Sequence, residues 1–232
     1  MSQPVFLAVE TGGTKIVWRV EDAAGATLDQ GRFPTGRPED AVEALVAAVA
    51  GCEVAGVGLA SFRPPVVDAD AADYGRMLAT PKPGWAGFNL AGTVARRLDA
   101  PFAADTDVNA AAAARQRRGA GRGSRAVAYV TVGTGIGGGL CVDGRTLKGG
   151  LHPEIGHLFV RRRQGDAQAS ACPFHDDCVE GLAAGPAVQA RLAGRRLEET
   201  EAVRAEVADY LGQMIAGLVL AWSPERIVMG GG

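Results

Sequence analysis

Cys172, His175 and Cys178 are spaced C-x2-H-x2-C within CPFHDDCVEG, and a short segment upstream, HPEIGH at 152–157, holds two more histidines. Thiolate sulfur and imidazole nitrogen are donors that zinc prefers in sets of four, so one upstream histidine completes the set. His157 is the better candidate, because His152 precedes Pro153 and lies a turn or more from the Gly156 bend that frees His157. A closed set of four soft or borderline ligands makes a structural site rather than a catalytic one. The plainer explanation is a pair of buried thiols beside surface histidines. The four cysteines, Cys52, Cys141, Cys172 and Cys178, have neither the density nor the spread of a disulfide framework.

A second chemical signal is DTDVNA at 105–110. Asp107 follows a short apolar run and precedes an alanine-rich helical stretch, and a carboxylate at such a strand end can project into a cleft as a general base. A helix N-cap is the alternative role for Asp107. Asp105 competes for either role. The third signal is ETGGTK at 10–15, echoed by VGTGIGGG at 132–139. Glycines at such turns allow positive φ and expose consecutive amides that can cradle a phosphate, to which Thr14 and Lys15 add a hydroxyl and a charge. Neither G-x-x-x-x-G-K-[ST] nor a helix-opening G-x-G-x-x-G is present, and an ordinary two-residue hairpin is the competing explanation.

The elements that must carry these residues read as follows. VFLAVE, IVWRV and ATLDQGRF form an antiparallel meander, PEDAVEALVAAVA a helix with Pro38 at its start, and VAGVGLA a buried strand. Residues 64–88 read as a long loop, followed by a helix over 89–98, the short strand PFAAD and a helix opening near Asn109. AVAYVTVGTGIGGGLCVDGRTL then repeats the opening meander in order and spacing, with an Asp-Gly turn, and helices over 182–192 and 199–221 lead to the strand RIVMG. The chain therefore reads as a duplication: two α/β lobes, 1–108 and 109–232, facing each other across a cleft.

With 232 residues and 47% hydrophobic content the chain can bury a substantial core. A net charge of -2 offers no general attraction for nucleic acid, and the basic runs at 115–125 and 161–163 read as solvated surface. No basic leader and no run of 18 apolar residues is present, which reads as a cytoplasmic protein with no membrane partner.

Together, in this order, ETGGTK, DTDVNA, VGTGIGGG, HPEIGH and CPFHDDCVEG resemble the ROK family (repressor, open reading frame, kinase) of sugar kinases, across essentially the whole chain. ASFRPP and YGRMLATPKPGW resemble its bacterial fructokinase branch. The resemblance implies an actin-like (ribonuclease H-like) fold with a duplicated βββαβα core, and transfer of the γ-phosphoryl group of ATP to a hexose, with fructose favoured over glucose or mannose. It implies that Gly12, Gly13, Thr14 and Lys15 lie against the ATP phosphates with Thr134 and Gly135, that Gly230 and Gly231 approach the nucleotide, and that Glu10 holds the waters of magnesium. Asp107 is then the base. Glu154, His157 and Glu180, with Asp107, hold the sugar, and His157 serves zinc through its other ring nitrogen.

This chain departs from the family pattern in four places. It has Glu10 for Asp, His152-Pro153 for Ala-Gly, Thr106 for Asn, and Ser61-Phe62-Arg63-Pro64 for Ser-Phe-Gly-Pro. It stops at IVMGGG where the family continues through further helices, which implies a shortened product with Gly230, Gly231 and Gly232 frayed and ATP held weakly. A sugar-binding module without catalysis is the rival reading. A ROK repressor would carry a helix-turn-helix ahead of the first glycine turn, which here begins at residue 10, so DNA binding is not expected. Oligomeric state is open, a homodimer being one form.

Overall fold

Alternation makes VFLAVET a strand with one buried face: Val5, Leu7, Val9 and Thr11 point inward in β1 (Val5–Thr11), while Phe6 and Glu10 stay exposed. In the computed structural model, which describes residues 4–61, 65–80, 82–149 and 152–231, β2 (Lys15–Glu21) and β3 (Thr27–Pro34) complete an antiparallel meander with β1. The crossover helix α1 (Pro38–Ala48) starts on a proline, whose missing N–H has no intrahelical partner there anyway, with Glu39 and Asp40 in its first turn. It buries Ala41, Val42 and Leu45 and leads to β4 (Val54–Ser61), which pairs parallel with β1. A second crossover through α2 (Leu90–Leu98), capped by Asn89 accepting the Gly92 amide, brings β5 (Phe102–Thr106) parallel to β4. The strand order is β3-β2-β1-β4-β5.

The long connection before α2 is irregular, as its Pro and Gly content predicts, but it is packed rather than loose. Met77 and Trp85 are buried in the core of the sheet's helical face. Tyr74 exchanges two bonds with the Ala104 backbone, and the Trp85 indole donates to Gly36 O at 2.8 Å. Phe62, Arg63 and Pro64, part of the departure from the family pattern, lie outside the described residues.

The next helix, α3 (Asp107–Arg118), starts two residues earlier than the alanine run suggests. Then the meander returns as β6 (Ala126–Val132), β7 (Ile136–Val142) and a two-residue β8 (Arg145–Thr146). Asp143 and Gly144 both take positive φ, 50° and 80°, as the tightest hairpin turns require. The expected helix over 182–192 is two helices, α4 (Val179–Ala183) and α5 (Gly185–Leu192), because the chain turns extended at Ala184 and Pro186 can only restart a helix. The long α6 (Glu201–Trp222) returns the chain to β9 (Arg226–Gly231), parallel to β6. The order β8-β7-β6-β9 repeats β3-β2-β1-β4, so the duplication extends to topology. By contacts the chain forms two units, Met1–Ala110 with Lys148–His152, and Ala111–Leu147 with Pro153–Gly232. Among the described residues no helix is long and apolar enough to cross a membrane.

In the second unit one charged group is sealed inside. Asp166 and Arg191, with side chains 3% and 4% exposed, form a two-pronged pair at 2.7 and 3.1 Å, and the same guanidinium reaches Glu206 at 2.9 Å. The Tyr210 hydroxyl donates to Asp166 and accepts the Arg163 amide at 3.1 Å. Arg191 and Tyr210, with the Gln168 amide, hold the Asp166 carboxyl well below the usual carboxylate range against the opposing effect of burial. A carboxylate with a depressed folded-state pKa stabilises the fold above its unfolded pKa, about 3.9, and that contribution is lost as pH falls toward the folded value. Asp166→Asn is therefore expected to destabilise the protein by about 3 kcal/mol at neutral pH. In urea titrations the gap from the parent should stay constant from about pH 8 to 5 and narrow below about pH 4. A gap that widens in acid would contradict this assignment.

Candidate catalytic and metal-binding residues

The register of the parallel strands sets the first group. Thr11 pairs with Ser61 and Ser61 with Thr106, so three buried hydroxyls stand in one row across β1, β4 and β5. The Thr11 hydroxyl donates to Ser61 Oγ at 2.9 Å, and that of Ser61 faces Met77 Sδ at 3.6 Å. These are the carboxyl ends of parallel strands, where residues leave a sheet toward ligands. Asp107 is the next residue after this row.

The N-cap alternative for Asp107 does not hold, because Thr106 Oγ1 accepts the Asn109 amide at 3.2 Å and so caps α3 itself. Asp107 accepts the neighbouring Val108 amide at 2.8 Å and is half-buried. Burial raises its pKa above the ordinary aspartate value. The Val108 amide works against that, the negative Glu10 adds to it, and His152 lowers it slightly. Asp105 is tied into the framework, accepting the Asn109 side-chain amide at 2.9 Å and pairing with Lys148 at 3.3 Å.

The turn from β1 to β2 closes with the Gly12 amide on Lys15 O at 2.8 Å, leaving Gly13, Thr14 and Lys15 exposed. Thr35, just past β3, clamps it from the side, its hydroxyl donating to Gly12 O at 2.8 Å and its amide to Thr14 O at 2.9 Å. Positive φ, the expected reason for these glycines, is absent at Gly12, Gly13, Gly133 and Gly135. Space is the reason at Gly12, where a Cβ would meet Lys15 O at 3.0 Å.

In the second unit Thr134 and Gly135 form the turn between β6 and β7, closed by the Gly133 amide on Gly135 O at 2.9 Å. Gly230 and Gly231 are not frayed as expected. They pair with Thr131 and Val132 in the parallel ladder, beside that turn, because β9 continues to Gly231; Gly232 lies outside the described residues. Glu154 is exposed and precedes a 3-10 turn, Ile155–His157, and Glu180 accepts the Ile136 amide at 2.8 Å.

His157, Cys172, His175 and Cys178 come together with all four donor atoms within 4.8 Å of one another; His152 is not in this group. Cys172 Sγ is 3.8 Å from His157 Nδ1 and 3.7 Å from His175 Nδ1. Tetrahedral zinc with Zn–S of about 2.3 Å and Zn–N of about 2.0–2.1 Å has S···N edges of about 3.6 Å, so the donors stand at coordination spacing. The Phe174 amide donates to Cys172 Sγ at 3.4 Å and the Gly181 amide to Cys178 Sγ at 3.3 Å, which favours thiolates. Burial pushes the Cys178 thiol up to about 11, with the Cys172 sulfur and the Glu180 charge acting the same way against the Gly181 amide. A divalent cation reverses that balance and takes both sulfurs as thiolates.

Sequence reasoning missed the Thr11–Ser61 hydroxyl pair, the Thr35 clamp, the Lys148 partner of Asp105 and the influence of His152 on Asp107. The His152-Pro153 variation was the one available signal. The rest depend on strand register.

A family model described as the ROK family matches residues 6–232. A fructokinase of Pediococcus pentosaceus is 35% identical over 227 residues, covering 97% of this chain and 79% of that protein. The ROK hexokinase of Thermus thermophilus superposes with a TM-score of 0.80 at 29% identity, over 98% of this chain and 82% of that one. A ROK family glucokinase of Streptomyces griseus, solved with glucose and AMPPNP, gives a TM-score of 0.72 at 27% identity over 98% and 83%.

The four-donor geometry predicts that protein purified without chelator carries about one zinc per chain. Chelation should expose the loop at 158–178 to protease, since metal binding of this kind is folding energy. Elemental analysis finding well under half an equivalent would remove the site.

Proposed function

Since the chain belongs to the ROK family and has its actin-like ATPase fold, we propose that it phosphorylates a hexose with ATP, converting D-fructose to fructose 6-phosphate. The observation that carries this reading is Asp107, a half-buried carboxylate with raised proton affinity, released from capping by Thr106 and placed one residue beyond the carboxyl ends of three parallel strands. A general base needs a proton affinity above that of a free aspartate and a place outside the framework, and Asp107 has both.

Asp107 takes the proton of the hexose hydroxyl as its oxygen attacks the γ-phosphorus, and the bond to the leaving ADP oxygen breaks. Gly12, Gly13, Thr14 and Lys15 offer amides, a hydroxyl and a charge to the phosphates; Thr134 and Gly135, with Gly230 and Gly231, take the nucleotide in the second unit. Lys15 is exposed and fits a mobile counter-charge. Positioning and charge neutralisation supply most of the acceleration in such transfers. Magnesium accompanying ATP would supply charge neutralisation, and Glu10, exposed near the end of β1 and felt by Asp107, would hold its waters. Glu154, His157 and Glu180 hold sugar hydroxyls. His157 turns Nδ1 toward Cys172 Sγ, so a zinc ion held by the four donors would fix its tautomer and leave Nε2 for the sugar. Fructose is favoured over glucose because the fructokinase relative aligns with 97% of this chain and 79% of its own length, whereas a glucokinase of Streptomyces coelicolor at nearly the same identity, 34%, aligns with 89% and 64%.

The test is a coupled assay of ADP formation against fructose, glucose and mannose, with titration calorimetry for each sugar. Fructose should give the highest kcat/KM. Faster turnover of glucose or mannose would change the sugar assignment, and sugar binding without ADP formation would overturn the kinase reading. Asp107→Asn should lower kcat by roughly 10²-fold to 10⁴-fold with sugar binding nearly intact, whereas Asp105→Asn should do much less. Equal, mild effects of the two substitutions would show that Asp107 is not the base.

A further inference from the structure

Glu180 is the second residue of α4 and follows the metal-site residue Cys178 by two positions. Its Oε2 accepts the Ile136 amide at 2.8 Å, and Ile136 is the first residue after the Thr134–Gly135 turn. At the far end of α4 the Gly185 amide donates to Gly133 O at 2.7 Å. The turn is thus gripped on both sides, by Glu180 of α4 and by Gly185, the first residue of α5.

The glycines around it record how close that grip is. A Cβ on Gly135 would stand 2.8 Å from Glu180 Oε2, and one on Gly185 would stand 2.9 Å from Gly133 O. A Cβ on Gly156, next to His157, would overlap Ile136 O and lie 3.3 Å from the same Glu180 oxygen. Three glycines from three separate segments, two of them in the glycine and histidine motifs, are therefore small because these segments touch one another. His157 follows Gly156 and Cys178 precedes Glu180, so two of the four cluster residues flank the contact.

We infer that Glu180 is a positioning residue for the nucleotide: its carboxylate holds the Ile136 amide and so fixes the Thr134–Gly135 turn, and the Cys/His cluster holds Glu180 in place to do it. The inference rests on the proposed role of that turn in binding ATP. It separates from a sugar contact by Glu180 because it acts on nucleotide affinity with no sugar present. Its sign is also distinctive. A carboxylate acting only through its charge would repel a triphosphate, so removing it would tighten binding, whereas a carboxylate that holds the turn weakens binding when removed.

The experiment is calorimetric titration of magnesium AMPPNP, without hexose, into the zinc-loaded full chain and three variants, each first checked for parental thermal unfolding. Glu180→Ala should raise Kd about tenfold, the order expected for losing one hydrogen bond to a charged group. Glu180→Asp keeps the charge but falls a methylene short of the Ile136 amide and should match Glu180→Ala. Glu180→Gln keeps an acceptor oxygen without the charge and should stay within about threefold of the parent. Unchanged or tighter binding by Glu180→Ala or Glu180→Asp, or weak binding confined to Glu180→Gln, overturns the inference. If Glu180→Ala does not fold, the Asp and Gln pair decides by itself. A parent chain that does not bind AMPPNP defeats the kinase reading and this inference with it; a parent that binds while the variants match it defeats the inference alone.

Discussion

Two parallel neighbours cannot be joined by a hairpin; the chain must cross the face of the sheet and return, which takes a dozen residues or more and usually a helix. Both sheets contain such a pair in the same place, β4 beside β1 and β9 beside β6. That constraint puts the carboxyl ends of the pair side by side, so turns and loops leave each sheet at one edge. The row of Thr11, Ser61 and Thr106, with Asp107 next in line, follows from it directly. So does the placement of Gly230 and Gly231 next to Thr131 and Val132, where β6 gives way to its glycine turn.

The regular elements were legible because each rests on a local signal. Alternation marks β1, Pro38 marks the start of α1, Asn89 marks the start of α2, and Asp143-Gly144 marks the return of β7. The sequence is ambiguous where two local rules compete. Thr106 and Asp107 are both good caps, and only the bond to the Asn109 amide decides between them. The apolar run from Leu182 to Leu192 reads as one helix until Pro186 and the Gly185 amide bond to Gly133 divide it. Contacts between distant positions were beyond reach. Thr11 and Ser61 lie 50 residues apart, Ile136 and Glu180 lie 44 apart, and no periodicity encodes either meeting. The glycines of the second turn mislead for the same reason, since room for a passing ligand and room for Glu180 look identical in a sequence.

The loop that carries the Cys/His donors is held by two unlike means. From Val160 to Gln168 it is tied by protein alone, through Asp166, Arg191 and Tyr210 and through the fork of Arg162 on Gln168 O and Asp176 O. Beyond Ser170 the backbone is tied by Ser170 on His175 O, Ala171 on Gly181 O and the Val160 amide on Asp177 O, with Arg162 paired to Asp177 at 2.9 Å, while the thiols and imidazoles face each other. A cation bound there would join the four donors directly. The buried ion pair costs desolvation, and it ties the first half of the loop through contacts that involve none of the metal donors.

The outer strand of the larger sheet has one further effect on how the molecule behaves among copies of itself. β3 lies at one edge, opposite β5, with most of its residues exposed, and it runs through Asp29, Gln30 and Arg32 to Pro34. An approaching strand would have to set its backbone against charged side chains and, at the end, against a residue with no N–H to offer. β8, at the outer edge of the other sheet, is two residues long and offers almost no ladder to extend. Where unpaired sheet edges seed fibrils, β3 and β8 thus give a growing cross-β stack very little to build on, and the opposite edges, β5 and β9, carry that liability instead.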